Sequence, residues 1–184
     1  MPNPKRQIGS LLVLGGARSG KSRYAQRLAE ASRLKPVWIA TAEAHDTEMA
    51  ERIARHAALR EARWTLVEEP VALAEALRRE ASNDRIVVVD CATLWLSNLL
   101  LKNDNLATAT QDLAQGVAGL AGPVIFVSNE VGAGIVPDNA LARAFRDAQG
   151  FLNQALAEAC EAVVLINAGI AFCLKPSPEP EFHF

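Results

Sequence analysis

Positive charge is not in excess in this sequence: 19 Lys and Arg stand against 21 Asp and Glu, for a formal net charge of −2. That balance offers no basic surface for a polyanion, so DNA and RNA are not expected partners. Long apolar runs are missing as well. The longest purely aliphatic stretches, such as residues 11–14 and 86–89, fall far short of a membrane span, and the one near the N-terminus runs straight into glycines and charges. No signal peptide and no membrane helix are read, and the expected location is the cytoplasm. Cysteine is scarce. Cys91, Cys160 and Cys173 are odd in number, scattered, and form no C-x-x-C pair, so free and mostly buried thiols are expected rather than a metal or redox centre. Internal repeats are lacking, as is any linker long enough to divide domains.

What is present is a globular profile, half apolar and 22% charged over 184 residues, which fits one α/β domain over 1–184 with a single active site. Short β-rich apolar runs recur at 10–14, 36–41, 85–90, 123–128 and 162–167. Between them lie longer helical patterns, at 22–32, 47–63, 70–81, 106–120 and 138–160. The alternation predicts a mostly parallel sheet with helices on both faces, a three-layer sandwich. The last helix is the clearest: Leu141, Phe145, Ala148, Leu152 and Leu156 share a face at 3.6 spacing after an expected Asp138 N-cap. In the tail, 175–184, Pro176, Pro178 and Pro180 favour an extended segment.

Ligands of open α/β sheets gather beyond the carboxyl ends of the strands. Here those ends carry Gly15 and Gly16, Thr41, Asp90, Asn129 with Glu130, and Asn167. Gly15-Gly16-Ala17-Arg18-Ser19-Gly20-Lys21-Ser22 satisfies G-x-x-x-x-G-K-[ST] between a predicted strand and a predicted helix, the context that pattern requires. Its glycines let backbone N–H groups converge on phosphate oxygens, and the following helix N-terminus adds partial positive charge. Lys21 brings a full charge to the outer phosphates, and the Ser22 hydroxyl suits a magnesium ion. Arg18 is open between a second phosphate ligand and a solvated loop charge. Asp90, at the end of an aliphatic strand, is read as the acid that helps hold the metal, against the blander reading of a cap for the next segment.

Within 47–63, Met49, Ile53, His56 and Arg60 share a helix face, with Arg52 and Arg55 flanking it. A histidine on such a stripe is commonly a packed core residue. The neighbouring arginines support a second reading, because they hold phosphate oxygens and oppose protonation of an imidazole that attacks phosphorus.

Five motifs in order carry a more specific signal. They are the loop at 15–22, Arg52-Ile53-x-x-His56, Trp64-Thr65-x-x-Glu68-Glu69-Pro70, Asp90-Cys91, and Ser128-Asn129-Glu130-Val131-Gly132-Ala133-Gly134-Ile135-Val136-Pro137. Together, over about residues 11–175, they resemble the adenosylcobinamide kinase/adenosylcobinamide-phosphate guanylyltransferase family. The resemblance implies a RecA-like P-loop fold and two reactions of cobalamin biosynthesis. Adenosylcobinamide is phosphorylated on its aminopropanol hydroxyl by ATP or GTP. GMP then passes from GTP to adenosylcobinamide phosphate through a guanylylated histidine, which maps onto His56; His45 is left as a loop or helix-start residue. It also implies that Thr41, Ala42, Glu43, Arg60, Glu68 and Asp90 surround GTP with Mg2+, Glu68 at the guanine or ribose. Where relatives carry a basic residue after the histidine, Ala57, Ala58 and Leu59 precede Arg60, so their nucleotide contacts are expected through backbone. The loop over 129–137 is expected to close over phosphates or corrinoid, and the family forms homo-oligomers, trimers.

The alternatives are a P-loop kinase of another small alcohol without a histidine intermediate, a GTP-dependent switch, and a nucleic-acid motor. A switch calls for N-K-x-D, which is absent, and the D-x-x-G at Asp147 to Gly150 falls inside a predicted helix. A motor conflicts with the acidic charge balance.

Overall fold

The computed structural model describes residues 8–43 and 63–176. Within them run strands β1 (Ser10–Gly15), β2 (Lys35–Ala40), β3 (Thr65–Glu68), β4 (Arg85–Asp90), β5 (Val124–Asn129), β6 (Ala162–Asn167) and β7 (Ile170–Lys175). The helices are α1 (Lys21–Ala31), α2 (Leu73–Glu80), α3 (Ala92–Leu101), α4 (Leu106–Val117) and α5 (Ala140–Ala159). One sheet joins the strands in the order β3-β2-β4-β5-β1-β6-β7. Every pairing is parallel except that of β6 with β7.

The central strands are buried on both faces, as expected of near-continuous aliphatic runs in a parallel sheet. Alternate residues divide between two cores. Leu12, Val87, Val89, Val124 and Phe126 pack with α2, α3, α4 and α5. Leu11, Val13, Val88, Ile125 and Val127 face the other way, against Ala25 and Ala29 of α1. The result is the three-layer α/β sandwich the alternation predicts. No helix among the described residues is long and apolar enough to cross a membrane.

Several expectations need correction. The helix expected over 70–81 begins only at Leu73, because Glu69 Oε1 accepts from the Val71 and Ala72 N–H groups and holds residues 70–72 in a turn. Two strands and a helix escape the sequence pattern. β3 is a four-residue edge strand, and β7 is the exposed return arm of a hairpin that claims Lys175 from the expected tail. α3, ATLWLSNLLL, is apolar nearly all round and so shows no amphipathic period. α5 is capped by Asn139, whose Oδ1 accepts from Ala142 N at 2.7 Å, and not by Asp138. On its expected inner face Leu152 and Leu156 are fully buried, while Leu141 in the first turn is exposed. Cys91 and Cys160 are buried free thiols, but Cys173 on β7 is exposed. The helix expected over 47–63 and the tail beyond Pro176 lie outside the described residues.

Candidate active site

β1 delivers the chain into the glycine loop, and α1 carries it away. Gly15 has φ 153°, and a Cβ there would collide with the Ile166 carbonyl oxygen and lie 2.7 Å from Ser19 Oγ. Only glycine lets the loop press this closely on β6. Gly20, at φ 102°, takes the left-handed conformation that opens α1, and Arg18 also has positive φ, 55°. Three backbone bonds fix the loop: Ser19 N to Gly16 O at 3.3 Å, Tyr24 N to Gly20 O at 3.0 Å, and Gly169 N to Ser19 O at 2.9 Å. The last ties it to the β6–β7 turn.

Lys21 is nearly buried, and its Nζ donates to Gly16 O at 2.6 Å, so the ammonium lies back across the loop. Ala17 and Arg18 are exposed, and Ser22 is half-buried in the first turn of α1. Ser19 Oγ is buried and has no hydrogen-bond partner among the described residues. A shielded hydroxyl with an unmet bond, in a glycine loop that opens a helix, is what a phosphate-binding cradle offers an anionic oxygen.

Asp90 ends β4, one strand away from the loop, because β5 lies between β4 and β1. The electrostatics of Cys91 connect the two. Its thiol is pushed from an ordinary 9.0 up to about 12, first by burial and then by the Asp90 carboxylate, while the Lys21 ammonium pulls the other way. Lys21 and Asp90 thus act on the same buried point. Ser22 and Asp90 supply hard oxygen donors of the kind magnesium takes. The described residues hold no cluster of three or more His, Cys, Asp or Glu that could cage a metal ion.

The other candidate residues lie at or just beyond the ends of β2 and β3. Ala40 of β2 sits in register with Glu68 of β3 and Asp90 of β4. Thr41, one residue on, is fully buried and works as a clamp. Its Oγ1 donates to Cys91 O at 2.7 Å and accepts from Cys91 N at 2.9 Å, and its carbonyl accepts from Asn98 Nδ2 at 2.7 Å. Ala42 is half-buried, Glu43 pairs with Lys102 at 3.3 Å, and Glu68 is exposed. Asp90 does not cap α3; that place belongs to Cys91, whose Sγ accepts from Leu94 N. His56, Ala57, Ala58, Leu59 and Arg60 lie outside the described residues.

Three further residues, Thr93, Gln149 and Asn153, had no sequence assignment. Thr93, Ser128, Gln149 and Asn153 form a buried hydrogen-bonded cluster under Asn129. The available signal was Gln149 and Asn153, polar at i and i+4 beside the apolar stripe of α5.

Comparison with known proteins places this geometry. The profile of the family described as cobinamide kinase / cobinamide phosphate guanyltransferase matches residues 11–174. The bifunctional adenosylcobalamin biosynthesis protein CobP of Pseudomonas aeruginosa is 51% identical over 169 residues, covering 91% of this chain and 98% of the relative. CobU of Escherichia coli, which bears the same description, is 36% identical over 180 residues, covering 90% and 99%. Two solved structures share the fold at low identity. A Pyrococcus horikoshii OT3 protein has TM-score 0.54 and 13% identity over 95% of this chain and 90% of its own. The RadB recombinase has TM-score 0.52 and 16% identity over 85% and 73%. With the glycine loop, the acid at the end of β4 and matches along nearly the whole chain, this protein belongs to the cobinamide kinase / cobinamide phosphate guanyltransferase family.

Proposed function

We propose that the chain phosphorylates adenosylcobinamide with ATP or GTP, then transfers GMP from GTP to adenosylcobinamide phosphate through a guanylylated His56. In the first step the aminopropanol oxygen attacks the γ-phosphorus and the nucleoside diphosphate leaves. In the second the His56 imidazole attacks the α-phosphorus of GTP and pyrophosphate leaves. The substrate phosphate oxygen then attacks the same phosphorus and frees the histidine, giving adenosylcobinamide-GDP.

The observation that carries the reading is the cradle, with Ser19 Oγ buried and unmatched and Lys21 held beside it. Backbone N–H groups over 15–22 bind and orient phosphates, and Lys21 exchanges its bond to Gly16 O for a phosphate oxygen. Ser22 and Asp90 would hold Mg2+, which supplies positive charge against the phosphates. Thr41 acts through Cys91 by fixing the backbone next to Asp90, while Ala42, Glu43, Glu68 and the 57–60 backbone border the nucleotide. A homotrimer in the cytoplasm follows from the same family resemblance, and light scattering should read three times the 19.8 kDa chain mass.

Intact-protein mass spectrometry after incubation with magnesium and GTP is the direct test. A gain of one GMP, lost in His56→Asn, is the expected result. If GTP binds without an adduct, the chemistry is that of a simple kinase and His56 is a packing residue.

A further inference from the structure

β4 ends before β5 does. Their last register pair is Asp90 with Val127, whereas on the other side β5 stays with β1 as far as Gly15 opposite Asn129. The Glu130 N–H donates to Gly15 O at 3.0 Å. Alternate residues of a strand direct their backbone groups to opposite sides, so Asn129 aims its N–H and C=O at the place where β4 has already stopped. Side chains from two helices replace the missing strand. Thr93 Oγ1 of α3 accepts from Asn129 N at 2.7 Å, and Asn153 Nδ2 of α5 donates to Asn129 O at 3.0 Å.

Behind these two contacts the cluster is braced. Ser128 Oγ donates to Asn153 Oδ1 at 2.7 Å, and Gln149 Nε2 donates to both Ser128 Oγ, at 2.9 Å, and Asn153 Oδ1, at 3.0 Å. Gln149 is fully buried with Oε1 unmatched among the described residues, a cost that a purely packing position on α5 would not carry. The far end of the following loop is tied too, because Arg143 donates to the Pro137 and Asp138 carbonyls at 3.0 and 2.7 Å. Between the ties Ile135 is almost wholly exposed. The Asn129 carboxamide itself makes no hydrogen bond among the described residues.

We propose that Thr93, Asn153 and Gln149 are positioning residues: a surrogate strand that fixes Asn129 and the start of the 130–137 loop beside Gly15, so that turnover at the phosphate cradle depends on them although they touch no substrate. The proposal rests on the reading of the cradle as the site of phosphoryl transfer.

Thr93→Val preserves shape and orphans the Asn129 N–H, whereas Thr93→Ser keeps the acceptor. Removing one partner of a buried hydrogen bond loosens what it held, so kcat for cobinamide phosphorylation should fall about tenfold or more in Thr93→Val. Both KM values should stay within about twofold, and Thr93→Ser should recover most of the loss. A Thr93→Val enzyme with kcat within about twofold of wild type, or a Thr93→Ser enzyme equally impaired, overturns the proposal. If Thr93→Val does not fold, Asn153→Asp carries the test, since its carboxyl can donate to Asn129 O only when protonated. Its kcat relative to wild type should fall as pH rises from about 5.5 to 8.5, and a pH-independent ratio near one counts against the network. Amide exchange at Asn129 in Thr93→Val needs no substrate and should accelerate about tenfold. Unchanged exchange defeats the network, whereas faster exchange in a protein inactive on cobinamide defeats only the functional reading.

Discussion

Gly15 is the residue on which the cradle's shape turns. Gly15→Ala would force a Cβ onto the Ile166 carbonyl and Ser19 Oγ. At a φ that L residues rarely adopt, we expect a loss of at least about 2 kcal/mol and of nucleotide binding, read by urea unfolding and by titration with GTP. Lys21→Met keeps the stem and removes the charge, and should cut turnover about a hundredfold or more without unfolding the chain. The thiols give a pH signature. Cys91 and Cys160 are both held up at about 12, first by burial, against an ordinary 9.0. The native chain therefore keeps protons that the unfolded chain gives up above about pH 9, so stability should decline from there toward pH 12. Urea midpoints at pH 8 and 10.5 check this, and Cys91→Ala with Cys160→Ala should flatten the decline. At pH 8 an alkylating reagent should label exposed Cys173 and spare the two buried thiols, because the thiolate is the reactive form.

Among elements, α3 is the one whose packing does most for the site. It starts directly after Asp90 and Cys91, and presents Thr93 to β5, Asn98 to the Thr41 carbonyl, and Trp95, whose Nε1 donates to Val71 O at 2.7 Å. Trp95→Ala empties a buried ring position and should cost about 3–5 kcal/mol, measured by urea unfolding. α5 offers a discriminating pair. Asn139→Ala removes the N-cap and should cost about 1 kcal/mol, whereas Asp138→Ala, whose side chain caps nothing, should cost less than about 0.5 kcal/mol. The apolar composition of α3 and the short, exposed form of β3 and β7 explain why periodicity missed them: it registers one-sided burial, and these elements are buried all round or hardly at all.

At the scale of the whole molecule, the fold is shared with a recombinase, yet the charge balance of −2 argues against a nucleic-acid partner. Addition of single- or double-stranded DNA should leave nucleotide turnover unchanged. The sequence by itself determined the layer architecture, because aliphatic runs ending in Gly15, Asp90 and Asn129 must pair as buried parallel strands and place those ends on one edge. It also determined the phosphate loop, since glycine spacing and the following helix act over a few consecutive residues. Sequence could not reveal that Thr41 is spent on Cys91, 50 residues away, or that Asn129 is held by Thr93 and Asn153. Those partners are polar residues with no mutual spacing in the chain. Only the tertiary structure brought them together, because the premature end of β4 leaves backbone groups that distant side chains must satisfy.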